Sequence, residues 1–374
     1  METILFFARD PAGANVILPV YKKLKKKYKT LIFAKDFAWK RLSQEIGDEA
    51  GSILTECKNV TYEEILLFLK DKNIDIVITA TSLDDYTERY MWKAAEKLHI
   101  KSFAILDQWV NLGIRFSQYN YKQMEQYLRK RSHPFLPYRI LAMDETAKKR
   151  LTEDGVPEEK IIITGQPHFD TVLERYESAL GVYDKEYYNI VFASEPILND
   201  YDSNDMRHMY WGYNEITIFE ALYKQVAELL PEMTRKVRLI IRPHPREDNE
   251  KWNAYKTKCS NGKIAVECDR DTDSFSILKA ADLVCGMSSM FLLEAMICGK
   301  HIMSIEIGLR RENPFILDKL EICKSILDEA ALYRELRDIM MGAAECDKHE
   351  TGFVFIRNAA DCAAAVIEEA MLYG

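Results

Sequence analysis

The chain has 374 residues, of which 48% are hydrophobic. This length exceeds what one hydrophobic core normally organises, so we expect two domains. The formal net charge of -8 excludes nucleic acid as the expected main partner, because such proteins need a basic face.

The eight cysteines contain no Cys-x-x-Cys pair, and several lie in apolar runs, which is typical of reduced and buried thiols. The apolar N-terminal stretch reaches Arg9 and Asp10 too soon for the core of a signal peptide. No apolar run approaches the length of a membrane-spanning helix. We therefore expect a cytoplasmic protein.

In chain order, the first half alternates short β-rich runs with amphipathic stretches, which predicts parallel strands connected by helices. The predicted strands are Thr3–Ala8, Thr30–Ala34, Ile74–Thr79, Ser102–Leu106, Tyr138–Ala142 and Lys160–Thr164. The predicted helices are Ala14–Tyr28 and Thr87–Leu98.

A polar helical stretch over Thr171–Tyr188, interrupted by Gly181, precedes a second alternating series and predicts a domain boundary. The strands of this series are Asn189–Ala193, Val237–Ile241, Lys263–Val266, Leu283–Cys285 and His301–Ile305. Its helices are Glu215–Leu230, Ser274–Ala280 and Met290–Cys298.

The two series predict an α/β protein with two Rossmann-like domains and a ligand cleft between them. The N-terminal domain is expected over residues 1–175 and the C-terminal domain over residues 186–350. A last helix, Val354–Met371 within residues 351–374, is expected to pack back toward the N-terminal domain.

Ligands of open parallel sheets bind beyond the carboxyl ends of the strands, so the residues there are candidates. After the first predicted strand come Asp10, Gly13 and Asn15, at the start of a helix whose free amides suit an anion or a sugar hydroxyl. A simple turn rich in proline and glycine would explain the same residues.

Acidic residues follow the next strands. Asp84 and Asp85 follow the third predicted strand, where helix capping is the alternative role. Asp107, Trp109 and Arg115 follow the fourth. A cleft raises the pKa of a carboxyl group toward neutrality, so Asp107 is the first candidate for a catalytic base and Asp85 the second. The alternative makes Asp107 a helix cap and Trp109 a core residue.

Gly165 and Gln166 form a turn after the last strand of the first half, close to the domain boundary. This turn suits a hinge, a ligand contact, or both.

The second half has a stiff basic turn and a small-residue turn. Arg242-Pro243-His244-Pro245-Arg246 follows a predicted strand and presents cationic groups and a histidine where phosphates would bind. Gly286, Ser288 and Ser289 precede a helix with free amides, which favours an anion, while serine capping is the simpler function. Glu294 lies further along that helix, within reach of a ribose or sugar hydroxyl.

Four motifs together resemble the GT-B glycosyltransferase superfamily and its relatives. Thr164-Gly165-Gln166-Pro167-x-x-Asp170 resembles an element of the non-hydrolysing UDP-N-acetylglucosamine 2-epimerases. Arg242-Pro243-His244-Pro245 resembles the R-P-H-P motif of CDP-glycerol glycerophosphotransferases and the HP motif of bacterial sialyltransferases and polysialyltransferases. Ser288-Ser289 resembles the SS motif of those transferases, and Glu294-Ala295 through Gly299-Lys300 resembles a stretch found across the superfamily.

The resemblance implies a metal-independent, inverting enzyme without a cofactor. It would move a sugar or polyol phosphate from a CMP, CDP or UDP donor to a glycan, lipid-linked acceptor or cell-surface polysaccharide precursor. His244 and a carboxylate, Asp107 or Asp85, would be catalytic. The implied donor-binding residues are Arg242, Arg246, Gly286, Ser288, Ser289, Glu294, Gly165 and Gln166. The implied acceptor-binding residues are Asp10, Gly13, Asn15, Trp109 and Arg115.

Two alternatives remain open. An NDP-sugar 2-epimerase would eliminate the nucleotide and add it back, although two epimerase motifs, H-x-E-A-G-L-R and D-S-G-G, are replaced in this chain. A non-catalytic nucleotide-sugar-binding subunit is the other alternative. The sequence leaves the oligomeric state open.

A cluster of lysines over Lys22–Lys27 ends the first predicted helix. Positive charge suits a helix C-terminus, so a solvated helix end explains it. Contact with anionic lipid at the inner face of the membrane is the alternative interpretation.

Overall fold

The computed structural model describes residues 2–58, 60–200, 210–244, 246–248, 250–259, 262–342 and 356–372. The chain divides into two compact units. Unit 1 comprises Met1–Thr171 and Phe355–Gly374, and unit 2 comprises Val172–Val354. No helix among the described residues combines the length and the apolar character needed to cross a membrane.

The strands of unit 1 are β1 (Thr3–Ala8), β2 (Lys29–Ala34), β3 (Leu54–Glu56), β4 (Ile76–Thr79), β5 (Lys101–Ile105), β6 (Arg139–Ala142) and β7 (Ile161–Ile163). Its helices are α1 (Pro11–Leu24), α2 (Asp36–Ile46), α3 (Ala50–Ile53), α4 (Tyr62–Asp71), α5 (Thr87–Lys97), α6 (Met124–Lys130), α7 (Glu145–Glu153) and the start of α8 (Pro167–Ser178). Short 3-10 segments cover Gly47–Glu49, Gly113–Phe116, Tyr121–Gln123 and Glu158–Lys160.

The sheet of unit 1 is parallel, in the order β3-β2-β1-β4-β5-β6-β7. Every residue of β1 is buried, which a strand tolerates only when both faces of its sheet are covered. Ile4 and Phe6 pack with residues of α1, whereas Leu5 and Phe7 pack with residues of α4 and α5. The chain changes direction across the sheet between β1 and β4, and ligands of such sheets bind at that switch point.

The strands of unit 2 are β8 (Tyr187–Ala193), β9 (Lys236–Arg242), β10 (Ile264–Cys268), β11 (Leu283–Gly286) and β12 (His301–Ser304). Its helices after α8 are α9 (Ile197–Asp200), α10 (Glu215–Leu229), α11 (Glu250–Cys259), α12 (Ser274–Ala280), α13 (Met290–Ile297), α14 (Ile316–Lys319) and α15 (Glu329–Met340). A 3-10 segment covers Leu230–Glu232, and the last helix of the chain, α16 (Ala359–Leu372), belongs to unit 1.

The sheet of unit 2 is also parallel, in the order β10-β9-β8-β11-β12. Its switch point lies between β8 and β11. The core on one side of this sheet includes Phe192, Phe219 and Trp252, whose rings contact one another. Two Rossmann-like units of this kind are the GT-B fold class expected from the sequence, which is confirmed.

Several predicted boundaries shift in the structure. The first helix begins at Pro11 rather than Ala14, since proline lacks the N–H that the first turn leaves unbonded. The last helix begins at Ala359, and its predicted first residue, Val354, lies outside the described residues.

Candidate functional site

Asp107 lies two residues beyond β5 and is held by Arg115. Nη1 of Arg115 is 3.2 Å from Oδ1 of Asp107, and the same nitrogen donates to the Thr81 carbonyl oxygen at 2.6 Å and to its hydroxyl at 2.8 Å. The Thr81 hydroxyl also lies 3.4 Å from Oδ1 of Asp107. The ion pair is buried, with side-chain exposures of 5% for Asp107 and 2% for Arg115.

Burial raises the pKa of Asp107; Arg115 opposes that effect and Asp10 adds to it. Gln166 donates from its side-chain amide to the Asp107 carbonyl oxygen at 3.0 Å. Unit 1 therefore brings Asp107, Arg115 and Gln166 together, with Asp10 close enough to act on Asp107. A carboxyl group whose pKa is raised binds its proton more tightly than an ordinary aspartate does.

Asp85, the second candidate base, is engaged elsewhere. Its Oδ2 is 2.5 Å from Nζ of Lys35, and its Oδ1 accepts the N–H of Thr87 at 2.9 Å, at the start of α5. Burial alone would raise the pKa of Asp85, but the bonds from Lys35 and Thr87 bring it below the ordinary value. Asp85 is therefore a bound anion, which suits a capping and charge-pairing role better than proton transfer.

Unit 1 contains a second buried acid, Glu88, which was not among the residues predicted from the sequence. Glu88 is 1% exposed, and its Oε1 accepts a 2.6 Å hydrogen bond from Ser82. Burial raises the pKa of Glu88 to about 8, and Asp85 and Asp10 add to the effect. Its position in the amphipathic helix α5 gave no sign of this burial.

Three candidates for acceptor binding pack inside unit 1 instead. The Trp109 indole is buried, donates to Asp144 at 2.6 Å and stacks on Phe169. A Cβ at Gly13 would lie 2.6 Å from that of Ala80, so this glycine allows α1 to lie against the end of β4. The Arg115 guanidinium is committed to Asp107 and Thr81. Because these groups face the interior, we assign them structural roles.

Two other candidates lie nearer the surface of unit 1. The side chain of Asp10 is 37% exposed, and its Oδ1 lies 3.6 Å from Nη1 of Arg9. The side-chain oxygen of Asn15 accepts a hydrogen bond from Arg41 at 3.3 Å. The Asp10 side chain is thus partly accessible to a ligand.

Gly165 has a positive φ of 89°, which favours glycine. A Cβ there would lie 2.7 Å from that of Ala359 and 2.9 Å from that of Ile356. The turn that carries Gln166 therefore requires a glycine because the C-terminal segment packs directly against it.

In unit 2, Arg242 is the last residue of β9, and His244 lies two residues beyond it. The Arg242 guanidinium donates to the Asp269 carbonyl oxygen at 3.1 Å and to the Ser274 hydroxyl at 3.3 Å. Arg246 pairs with Asp200 at 2.9 Å and is half exposed. Pro245, the residue between His244 and Arg246 in the chain, lies outside the described residues.

His244 is held as a neutral ring with a defined tautomer. Burial lowers its pKa, and Arg246 adds to the effect. Its Nδ1 accepts the backbone N–H of Arg246 at 3.2 Å, so the proton of the neutral ring belongs on Nε2. This N–H is a suitable donor to a phosphate oxygen.

Ser288 follows β11 and binds a glutamate that was not among the residues predicted from the sequence. Glu195 follows β8, and its carboxylate accepts the Ser288 N–H at 2.7 Å and the Ser288 hydroxyl at 2.9 Å. Burial raises the pKa of Glu195 to about 7, although the bonds from Ser288 oppose this. The strand-end rule that selected Asp107 would also have selected Glu195.

The neighbouring residues of this turn have more local roles. Ser289 caps α13 by accepting the Phe291 N–H at 3.2 Å. A Cβ at Gly286 would lie 3.0 Å from the Ala193 carbonyl oxygen, so glycine allows β11 to approach the end of β8. Glu294 is partly buried in α13.

A further buried acid follows β12. Glu306 has no exposed surface, and neither of its carboxylate oxygens has a hydrogen-bond partner among the described residues. Burial raises its pKa to about 8, and Glu195 adds to the effect. Unit 2 thus brings His244, Glu195, Ser288 and Glu306 to the carboxyl ends of β9, β8, β11 and β12, four neighbouring strands of its sheet.

Comparisons with known proteins identify the fold. No protein-family model matches the chain, and no curated protein matches it in sequence. UDP-GlcNAc 2-epimerase from Methanocaldococcus jannaschii has a TM-score of 0.67 at 16% identity and covers 100% of both chains. UDP-GlcNAc 2-epimerase from Neisseria meningitidis bound to UDP-GlcNAc has a TM-score of 0.61 at 14% identity and also covers 100% of both chains.

MurG from Acinetobacter baumannii has a TM-score of 0.57 at 11% identity, covering 99% of this chain and 100% of its own. At such identities the likeness shows the fold alone, and this fold is GT-B.

Proposed function

We propose that this chain is an enzyme that acts on a nucleotide-activated sugar, with 2-epimerisation as its reaction, and that unit 2 binds the phosphates. One observation carries the proposal: at the switch point of unit 2, the Ser288 N–H and hydroxyl already bind an anion, the carboxylate of Glu195. Backbone amides at the N-terminus of a helix, here α13, bind phosphate in the same way.

The other phosphate contacts come from the turn after β9, on the opposite side of β8. His244 offers its Nε2–H there, and the partly exposed Arg246 offers a positive charge. Two anion-binding turns on both sides of one central strand suit a diphosphate better than a single phosphate.

Epimerisation at C2 needs carboxyl groups that exchange protons near neutral pH. A base removes the proton from C2 while the bond between C1 and the phosphate oxygen breaks, which leaves a C1=C2 double bond and the free nucleotide. Return of a proton to the other face of C2 and re-addition of the nucleotide give the epimer. Burial raises the pKa of Glu195 to about 7, which suits this chemistry, and burial also raises the pKa of Asp107 above its ordinary value.

Proteins of the same fold support epimerisation over transfer as the first choice. Solved structures that cover the whole chain include UDP-GlcNAc 2-epimerases, one of them bound to UDP-GlcNAc. We therefore take UDP-GlcNAc as the first substrate to test.

The test is NMR of UDP-GlcNAc with the purified protein in D2O, without an acceptor. We expect a C2 epimer to form and deuterium to enter C2. Strict dependence of turnover on an added acceptor would overturn the epimerase proposal, and so would release of UDP without any epimer.

A glycosyltransferase or polyol-phosphate transferase is the second candidate. Its support is the pair of turns that resemble transferase motifs: the built turn at Arg242-Pro243-His244, and Ser288-Ser289 in place of the epimerases' D-S-G-G. A transferase would use its carboxylate on an acceptor hydroxyl and would consume donor only when an acceptor is present.

Asp107→Asn and Asp85→Asn separate both enzymes from a non-catalytic nucleotide-sugar-binding subunit. We expect Asp107→Asn to lower kcat by about a hundredfold or more and Asp85→Asn to change it little, because Asp85 is a paired anion. Equal activity in both variants would remove Asp107 from the mechanism. Binding without turnover of UDP-, CDP- or CMP-sugars in the parent protein would favour the binding subunit.

A further inference from the structure

Glu247 lies at the centre of the turn that carries His244. It is 3% exposed and follows β9 by five residues. Four donors converge on its carboxylate: His244 N–H at 2.6 Å, Ser194 Oγ at 2.8 Å, Lys251 Nζ at 2.8 Å and Trp252 Nε1 at 3.4 Å. A buried carboxylate with this many donors is held in one geometry.

Glu247 and His244 bond each other in both directions. The His244 N–H donates to Oε2 of Glu247, and the Glu247 N–H donates to the His244 carbonyl oxygen at 2.9 Å. This pair of bonds closes the turn. The Arg246 N–H, inside the closed turn, then meets Nδ1 of the His244 ring.

We propose that Glu247 is a positioning residue for His244, which fixes the ring so that Nε2–H faces the ligand phosphate. The inference rests on the proposed function, because it assumes that His244 meets a phosphate. Glu247 itself is buried and bonded to protein groups, so it acts through the histidine.

The chain offers a matched control in Glu215. This carboxylate is also fully buried and also bonds Lys251, but its other oxygen accepts the Leu198 N–H at 3.0 Å and not that of His244. Glu247→Gln and Glu215→Gln therefore each replace one carboxylate partner of Lys251 by a neutral amide. Only the first change weakens the acceptor of the His244 N–H.

The experiment measures UDP affinity by calorimetry and the His244 titration by NMR in Glu247→Gln, Glu215→Gln and His244→Gln. We expect both glutamate variants to lose similar thermal stability. Glu247→Gln alone should weaken UDP binding, by about tenfold, and change the pH at which His244 titrates, since a bond to a charged acceptor is worth more than one to an amide.

The outcomes separate the two proposals. If His244→Gln leaves UDP affinity unchanged, the phosphate contact of the proposed function is wrong. If His244→Gln weakens binding but the two glutamate variants match each other, the positioning role of Glu247 is wrong. Should Glu247→Gln fail to fold, Ser194→Ala removes one donor to the same carboxylate. We expect Ser194→Ala to shift the His244 titration, and an unchanged titration would contradict the inference.

Discussion

Glu195 accepts two hydrogen bonds from Ser288, one from the backbone N–H at 2.7 Å and one from the hydroxyl at 2.9 Å. The two residues follow the adjacent strands β8 and β11, at the switch point of unit 2. A phosphate that used the same donors would have to displace the carboxylate or meet it in protonated form. The Glu195 carboxylate would therefore compete with a bound anion for the N–H and hydroxyl of Ser288.

This competition predicts that UDP binding weakens as the pH rises through about 7, the pKa of Glu195. The protonated carboxyl group, present at lower pH, can donate to the phosphate, whereas the carboxylate repels it. Binding then takes up a proton, and Kd rises by about tenfold for each pH unit above that pKa. Isothermal titration calorimetry in buffers of different ionisation enthalpy measures both quantities.

Glu195→Gln should bind UDP more tightly than the wild-type protein at pH 8 and should lose this pH dependence. The control is Glu228→Gln, which changes an exposed glutamate on α10 and should leave the pH dependence of UDP binding intact. Release of protons on binding to the wild-type protein would contradict the competition.

Arg115→Met should destabilise unit 1 by about 3–5 kcal/mol at neutral pH, because it leaves the buried Asp107 carboxylate without its ion-pair partner. Protonation of Asp107 relieves that cost, so the loss should shrink as the pH falls toward 4 and grow as it rises. Urea unfolding across this pH range measures the effect. The double variant Asp107→Asn, Arg115→Met should recover part of the stability, and additive losses would argue against coupling of the pair.

Gly165→Ala should lower the free energy of unfolding by about 1–3 kcal/mol from backbone strain alone, given its φ of 89°. The new methyl group would also push against Ala359 and Ile356, so the start of α16 should become more sensitive to protease. Gly181→Ala is the matched control, because its Cβ would have ordinary contacts at 3.6 Å with Ala280. Equal thermal unfolding of the two variants would contradict the packing at Gly165.

The lysine cluster at the end of α1 should bind anionic membranes weakly, because acidic residues pair with three of its five lysines. Lys23 pairs with Asp361 at 2.7 Å, Lys25 with Glu49 at 2.7 Å, and Lys27 with Glu368 at 2.8 Å. The double variant Asp361→Asn, Glu368→Gln frees two lysines and should raise sedimentation with phosphatidylserine vesicles by about tenfold. Strong wild-type binding would favour the membrane interpretation instead.

The regular part of the fold follows from sequence pattern because its strands are short apolar runs between amphipathic helices. The strand predicted at Thr3–Ala8 has those bounds in the structure. Leu54–Glu56 was missed, since a three-residue strand has too little pattern to register. The helices Asp36–Ile46 and Glu145–Glu153 were missed because each presents only two buried residues to the core.

The candidate site was less predictable, because burial depends on residues distant in sequence. Asp107 and Ser288 could be selected from their positions at strand ends. The burial of Trp109 and Arg115 depends on how the segment after β5 folds back on unit 1, which local pattern does not reveal. Glu247 has no sequence signal as an anchor, since its donors include Ser194, 53 positions away.

Ser194 and Glu195 are consecutive residues that bond to different loops: Ser194 to the anchor of the His244 turn, and Glu195 to Ser288. One peptide at the end of β8 therefore connects the turn of His244 with the segment of Ser288. We expect a ligand that shifts one of these segments to disturb the other, so the proposed site would respond to both phosphates of a diphosphate together. Enzyme engineering that alters one turn should accordingly redesign residues 194 and 195 as part of the same unit.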